Sequence, residues 1–530
     1  MPARTRLPPQ GPLEGGRADK DFAMPPTPRL TWTGPQTWVN AHGNIAAPVA
    51  QLIDLRNPLT PGNQSTLEAY NAMTAALQAL ITQALAANVR LRAAGAGWSL
   101  SEAAVTDGWL LNTQPLDFTF RLEPQLIHAE AQEHTASLRF VQCGIGVAQL
   151  SALLHQDGQS LRTSGASNGQ TLAGAISTGT HGAALDGGAM QDAVCGLHLI
   201  PDAARSVWLE RASRPVVTPT FAAALGAELR RDDALFEAAL VSFGSFGLLH
   251  GLLVETEPLF LLEAYRQRLP LTDALWQAIS TLTFNVPALP HPGERPYHFQ
   301  VVFNPHDVAG GVSVTIMYKR PYREDYTPPP RCPEHFAPGD DAAAFIGLLT
   351  DHVPAAIPGI TRQLLDRAYA PYNKQEGTLA EIFTNNDLRG RLASTAVGLP
   401  LDRTREAIEA VLAEHAQSGP AAIVVSLRYV QGSRATLAFT PFPTTCVLEI
   451  DGVQSSHTTE FYARAWARLE HQGIPYTFHW GKQHNLDAAR VRRLYGPRVA
   501  AWLAARRQLL GAAERRLFAN ALLVRLALER

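Results

Sequence analysis

Two glycine-rich segments hold the residues best suited to chemistry. The first, Gly95-Ala96-Gly97-Trp98-Ser99, follows a short apolar run. Glycines at 95 and 97, with hydroxyls at Ser99 and Ser101, suit a tight loop whose backbone N–H groups bind phosphate. The three-glycine dinucleotide fingerprint fails here: its third glycine would fall on Leu100, and no compact strand–helix–strand unit follows. An ordinary turn fits the same residues. The second segment, TSGASNGQTLAGAISTGTHGAALDGGAM at 163–190, holds seven glycines in 28 residues. Small residues let the backbone approach a flat ligand closely and leave many N–H and hydroxyl donors. A flexible linker is the bland alternative, but Leu172, Ile176 and His181 argue against it. No H-x-x-x-H or HExxH pattern indicates a metal.

These segments need a scaffold. Apolar and alanine positions at helical spacing predict a helix over 65–88. Strands are predicted at 89–93, 108–111, 138–143 and 196–200, with a helix at 147–157 among them. Residues 234–240 read as a helix entering a turn and a strand, which closes a first region near residue 260. Beyond it, strands at 298–303, 312–318, 422–430 and 445–450 are separated by proline-rich loops and by helices at 340–349, 403–414 and 458–471. That segregation predicts an α+β fold with an antiparallel sheet. Two C-terminal helices, 488–509 and 512–528, present apolar stripes to a core. Their arginines (Arg490, Arg492, Arg493, Arg506 and Arg507) read as a solvated face.

The chain has 530 residues, enough for about two to four domains. Lys plus Arg number 45 and Asp plus Glu 47, a net charge of −2, so the basic excess of a nucleic-acid binder is missing. With 46% apolar and 17% charged residues the composition is globular. The four cysteines (Cys143, Cys195, Cys332 and Cys446) form no C-x-x-C pair and read as small buried side chains. No apolar run reaches the ~20 residues of a membrane helix. Residues 1–29 are proline-rich without a signal-like apolar stretch and read as a disordered tail. The expectation is a soluble, cytoplasmic protein.

The pair GAGWS and GQTLAGAISTGTHGAA resembles the FAD-binding domain of the vanillyl-alcohol-oxidase flavoprotein family, the PCMH-type domain. DDALFEAALVSFGSFGLLHGLLVET at 232–256 is similar to that domain's closing helix, turn and strand. TWVNAHGN at 37–44 and FHWGKQH at 478–484 resemble the sugar-lactone and alditol oxidase branch, and RRLFANALL at 515–523 its closing segment. The likeness covers 30–260 well and 420–530 moderately, and 261–420 by position only. It implies a two-domain fold: a tail at 1–29, a PCMH-type FAD-binding domain at 30–260, a substrate or cap domain on an antiparallel sheet at 261–478, and a segment at 479–530 returning to the FAD domain.

The resemblance implies FAD. Ala94, Gly95, Ala96, Gly97, Trp98 and Ser99 would hold the pyrophosphate. Ser164, Gly165, Ser167, Gly174, Ser177, Thr178, Gly179, Thr180 and His181 would line the flavin ring and ribityl chain; His181 serves there as a polar contact or as a packed structural histidine. Gly244, Gly247 and the backbone near Val254 would approach the adenine end. Trp98 stands where many relatives carry the histidine joined to the flavin, and 163–169 has no cysteine, so non-covalent FAD is expected. For the chemistry, the resemblance implies hydride loss from a carbinol carbon to flavin N5, with Arg428, Glu449 and Lys482 facing the substrate. Arg428 would stabilise developing negative charge, Lys482 orient the hydroxyl, and Glu449 act as base. A plain ion-pair network is the alternative for these three. Polyol oxidases carry an acid at the position of Ser426 and a histidine at that of Glu449. The implied partners are an alcohol, polyol or lactone and molecular oxygen, for which Gly174 or Ala175 leaves a path beside the flavin. A dehydrogenase with another acceptor, an oxidase of a sterol or other bulky alcohol, and a flavin-binding protein without catalysis are the alternatives.

Overall fold

Three large sheets and two two-stranded ones organise the described residues. The computed structural model describes residues 27–58, 66–330, 347, 351–385 and 390–530. The expected tail at 1–29, the helix at 340–349 and Cys332 therefore lie wholly or almost wholly outside the described residues. The first sheet orders its strands Arg29–Thr33, Gln51–Arg56, Trp109–Asn112 and Leu91–Ala94. The last three are parallel, and parallel neighbours need a crossover. Helix Thr66–Ala86 lies within one, burying Tyr70, Met73, Leu77, Leu80, Ile81 and Ala84 at helical spacing. Strand Leu91–Ala94 then delivers the chain straight into the first glycine loop.

The second sheet has six strands, with Val194–Ile200 and Leu248–Glu255 antiparallel at its centre. Every residue of Val194–Ile200 is buried, as befits a strand covered on both faces. The third sheet has eight strands and is antiparallel throughout, in the order Tyr372–Gly377, Phe260–Leu269, Val312–Pro321, His298–Phe303, Ile423–Gln431, Thr444–Val453, Leu392–Pro400 and Thr477–Phe478. Helices Thr404–Ser418 and Ser456–His471 pack against each other, while helix Ile357–Ala368 lies against strand Ile423–Gln431. The α+β class and the antiparallel sheet agree with the sequence pattern.

The C-terminal helices return to the first region. Trp502 Nε1 donates to the Val241 carbonyl (3.1 Å), and Asn520 Nδ2 donates to that of Val105 (2.9 Å). Arg92 is buried and donates to the carbonyls of Gly244 (3.0 Å), Phe518 (2.9 Å), Ala103 and Phe243. Arg506 does the same with Ser245, Arg515 and Glu529. Burial pushes Arg92 down to about 10, and burial with the nearby Arg92 and Arg515 charges pushes Arg506 down to about 9 against the opposing pull of Glu529. The two guanidiniums thus clamp loops at 103–105 and 243–245 to the C-terminal segment.

Several elements differ from their sequence reading. The helix expected at 488–509 is two, Ala488–Tyr495 and Pro497–Leu509, because Gly496 takes a positive φ of 56° before a proline. The one expected at 512–528 is also two, Ala512–Leu517 and Ala521–Arg525, since the Asn520 side chain caps a new start at the Leu523 N–H. Arg506 is not on a solvated face but fully buried. The glycine tract contains a helix, Leu172–Thr178, capped by Thr171 and ended by Gly179 at φ 80°. No helix among the described residues is long and apolar enough to cross a membrane.

Candidate active site

One cavity of about 440 Å³ runs between the glycine segments and the eight-stranded sheet. That lies within the ~300–1,000 Å³ usual for small-molecule sites. At one end the loop 95–99 turns away from strand Leu91–Ala94, with Gly97 at φ 65°. Among the described residues nothing accepts from the N–H groups of Ala96, Gly97, Trp98 and Ser99. Four such donors around one concave loop form an anion nest. A side chain at Gly95 would overlap Thr171 Oγ1, and one at Gly169 would overlap the Trp98 ring, so both glycines are required by close approach. Leu100 N–H donates to the Gly481 carbonyl (2.8 Å) and Ser101 Oγ to that of Trp480 (2.6 Å). Those two bonds tie the nest to the turn that presents Lys482.

At the other end the strand alternation of Thr444–Val453 puts Glu449 and Asp451 on one face. Glu449 pairs in register with Ser426, and Asp451 with Ser394. Glu449, only 2% exposed, accepts from Arg428 Nη2 (2.7 Å) on one oxygen and from Lys482 Nζ (2.6 Å) on the other. Ser426 Oγ donates to it at 3.3 Å, and His181 Nε2 stands 3.5 Å away. Burial alone would raise the Glu449 carboxyl, but Arg428, Lys482 and His181 together hold it well below the usual carboxylate range. Lys482 Nζ also reaches Asp451 Oδ1 at 3.4 Å. Burial works against its charge, but Asp451 and Glu449 outweigh that and raise the ammonium above its ordinary value. Asp451 is hydrogen-bonded by Ser394 Oγ and keeps 38% of its side chain exposed.

The residues singled out from sequence largely meet here. Ala94, Gly95, Ala96, Gly97, Trp98, Ser99, Gly165, Ser167, Gly174, Ser177, Thr178, Thr180, His181, Gly244 and Gly247 line this cavity, as do Arg428, Glu449 and Lys482. Three others do not reach its wall. Ser164 Oγ donates to Asn168 Oδ1 (2.6 Å) and secures a turn; Gly179 ends its helix; Val254 is in the core of the six-stranded sheet, opposite Val194 and Arg139. Sequence reading missed Asp451, Ser394, His479, Tyr369 and His42, all on the wall. Asp451 sits two residues from Glu449 on a strand, a signal that same-face spacing carries. His42 is buried beside the Trp98 ring (centroids 5.2 Å apart), with an Nδ1 that has no partner among the described residues. Burial lowers His42, and burial followed by His181 and Lys482 lowers His479 well below the ordinary histidine value.

Comparison with known proteins agrees with this geometry. Residues 69–209 match the FAD binding domain family, and 339–526 match the D-arabinono-1,4-lactone oxidase family. The nest and glycine tract fall in the first match, and Arg428, Glu449 and Lys482 in the second. The chain belongs to the PCMH-type FAD-binding flavoproteins. Within that family it lies near the lactone oxidase branch. It is 26% identical over 189 residues to the D-arabinono-1,4-lactone oxidase of Kluyveromyces lactis, covering 35% of this chain and 31% of that one. To the L-gulono-1,4-lactone dehydrogenase of Mycobacterium tuberculosis it is 23% identical, covering 79% of this chain and 87% of the other. The aligned part is thus under a third of the yeast enzyme's length. Among solved structures, cholesterol oxidase from B. sterolicum superposes with a TM-score of 0.66 at 14% identity, covering 94% of this PCMH-type chain and 97% of the other. The xylooligosaccharide oxidase of Myceliophthora thermophila gives 0.59 at 13%, covering 91% and 93%.

Proposed function

We propose that this flavoprotein oxidises a CH–OH group of a sugar lactone or a related hydroxylated compound, with molecular oxygen as the electron acceptor and hydrogen peroxide as product. The observation that carries the reading is the single cavity joining the amide nest at 96–99 to the Arg428–Glu449–Lys482 cluster. The donor set fits FAD: unpaired N–H groups suit its pyrophosphate, and the small residues of the glycine tract suit its flat ring. The unpartnered His42 Nδ1 adds a polar contact on the same wall. Non-covalent attachment follows from Trp98, which offers no nucleophile where relatives carry histidine. Cys143, also on the wall, has its thiol pushed up to about 12 by burial and stays protonated. In domain terms, 30–260 is the FAD-binding unit, 261–478 the cap and 479–530 the returning segment.

Bound FAD supplies the hydride acceptor. The chain's own residues handle orientation and the proton. Lys482, held charged, donates a hydrogen bond that orients the substrate hydroxyl. Arg428 stabilises negative charge developing at the reaction centre. Glu449 was the sequence candidate for base, but a carboxylate fixed by two cations is a poor proton acceptor. We assign it the positioning of Arg428 and Lys482 instead. Among the described residues Asp451, half-exposed and only 3.4 Å from Lys482, is the carboxylate left on the wall to take the hydroxyl proton.

The test is peroxide release from a lactone panel. Peroxide should form in proportion to lactone consumed, and Asp451→Asn should lower kcat/KM by about 100-fold or more, the usual worth of a general base. A second reading, a dehydrogenase using another acceptor, is favoured by the likeness to the mycobacterial dehydrogenase along 79% of the chain. Turnover with an artificial electron acceptor but no peroxide in air would select it.

A further inference from the structure

A second cavity of about 200 Å³ adjoins the first, and Tyr369 forms a wall of both. The two open onto one face of the same sheet. Arg268 pairs with Ser313, Ser313 with Val302, Val302 with Ser426, and Ser426 with Glu449, a row running across five adjacent strands. Residues directly opposite in register project from the same face. Arg268, Ser313 and Val302 line the second cavity, while Glu449 lines the first. Helix Ile357–Ala368 and the residues after it roof this face. Arg266 Nη1 donates to the Ala368 carbonyl (3.1 Å), and its guanidinium stacks on the Tyr369 ring (5.3 Å). The aromatic partition is therefore held in place from the sheet side.

Charge and size say what this annex would take. Arg268 is neutralised by Asp366 (3.2 Å) and, like Arg362, faces Asp307 at 3.8 Å, so among the described residues the wall offers an anion no unpaired cation. What remains is a balanced set of donors and acceptors: Arg268 and Asp366, the Ser313 hydroxyl and the Asn304 amide, beside one aromatic ring. Paired charged groups, amide and hydroxyl next to an aromatic face suit a neutral ring bearing several hydroxyls. At about 200 Å³ the space is smaller than the ~300 Å³ at which independent small-molecule sites begin. It fits part of a ligand. Asp366 keeps 56% of its side chain exposed, so the annex meets the surface while the first cavity holds the reacting groups.

We propose that the second cavity is a subsite for the distal sugar ring of a two-ring substrate, whose proximal ring enters the first cavity past Tyr369. This rests on the oxidoreductase reading and narrows it to glycosylated lactones. Nothing in the proposed chemistry occurs in the annex itself; it contributes binding.

Calorimetric titration of the FAD-loaded protein tests the subsite without depending on turnover. The probes are glucose against maltose, and glucono-1,5-lactone against maltobionolactone, each pair differing by one neutral ring. The two-ring member should bind about tenfold more tightly, the worth of one or two net hydrogen bonds. Arg268→Ala should remove that advantage and leave one-ring binding within about twofold. Ser313→Ala, a smaller change in the same row, should reduce the advantage even if Arg268→Ala misfolds. Equal affinity within each pair, no measurable binding of either two-ring probe, or an advantage that survives both substitutions overturns the proposal. Anaerobic flavin bleaching by the lactones is read in parallel: its absence alongside an intact two-ring advantage would refute lactone oxidation and leave the subsite standing.

Discussion

Replacing Glu449 by Gln probes the cluster most sharply, because it keeps the shape and removes one charge. In the native chain a 2% exposed carboxylate bridges Arg428 at 2.7 Å and Lys482 at 2.6 Å. The side chains of those cations are only 10% and 19% exposed. Removing the shared partner leaves two enclosed cations with, among the described residues, one paired acid, Asp451, 3.4 Å from Lys482. Breaking a buried pair in this way costs about 3 to 5 kcal/mol. At ~2.1 cal/mol/K of unfolding entropy per residue, that lowers Tm by roughly 3 to 5 °C if the chain melts as one unit. The pH dependence has a definite sign. Because the folded Glu449 carboxyl is depressed, its stabilisation is fully present above the ordinary carboxylate range and is lost as pH falls through the folded value. The gap between native and Glu449→Gln proteins should thus be widest near neutrality and shrink below about pH 4. Catalysis adds a second readout. Without Glu449, burial counts for more at Lys482, and the alkaline limb of flavin reduction should move to lower pH. Calorimetric melting across pH, with anaerobic stopped-flow reduction, measures both. Equal Tm values at pH 7, or a gap that widens on acidification, would refute the reasoning.

Further outcomes follow from the same geometry. Lys482→Met should abolish reduction of the flavin by substrate while FAD stays bound; unchanged reduction would remove Lys482 from the site. Gly95→Ala puts a methyl group onto Thr171 Oγ1, and overpacking of about 1 to 3 kcal/mol should weaken FAD binding tenfold or more in a fluorescence titration. Acid precipitation should release all the yellow colour to the supernatant; colour in the pellet would contradict non-covalent attachment. Trp502→Ala deletes a fully buried indole bonded to Val241 and should cost about 3 to 5 kcal/mol, read as a lower melting temperature.

Much of this site is legible in the sequence because glycine and small residues leave few other uses for such a tract. Gly95, Gly97 and Gly174 line the cavity for steric reasons that residue type alone conveys. Arg428, Glu449 and Lys482 were legible only through resemblance to a family, since nothing local in the chain says that the Arg428 strand pairs with the Glu449 strand or that the turn carrying Lys482 comes back to Glu449. Register decides what stayed hidden. Ser394 meets Asp451 because strand Leu392–Pro400 pairs beside Thr444–Val453, a non-local fact. Tyr369 comes from a stretch without motif and gains its role from the sheet row beneath it. Val254 shows the converse error: it belongs to a recognised segment, but its strand carries it into the core rather than to the cavity. The break at Gly496-Pro497 was readable from the residues themselves.

The central claim is that the nest and the cation–carboxylate cluster serve one FAD-dependent oxidation. The most direct measurement is the absorption spectrum of the FAD-loaded protein, taken anaerobically before and after a panel of sugar lactones and polyols, and again on admitting air. Flavin bands that bleach with a hydroxylated substrate and return with oxygen are the predicted result. A protein that takes up no flavin, or a bound flavin that no lactone or polyol of the panel bleaches, would contradict it.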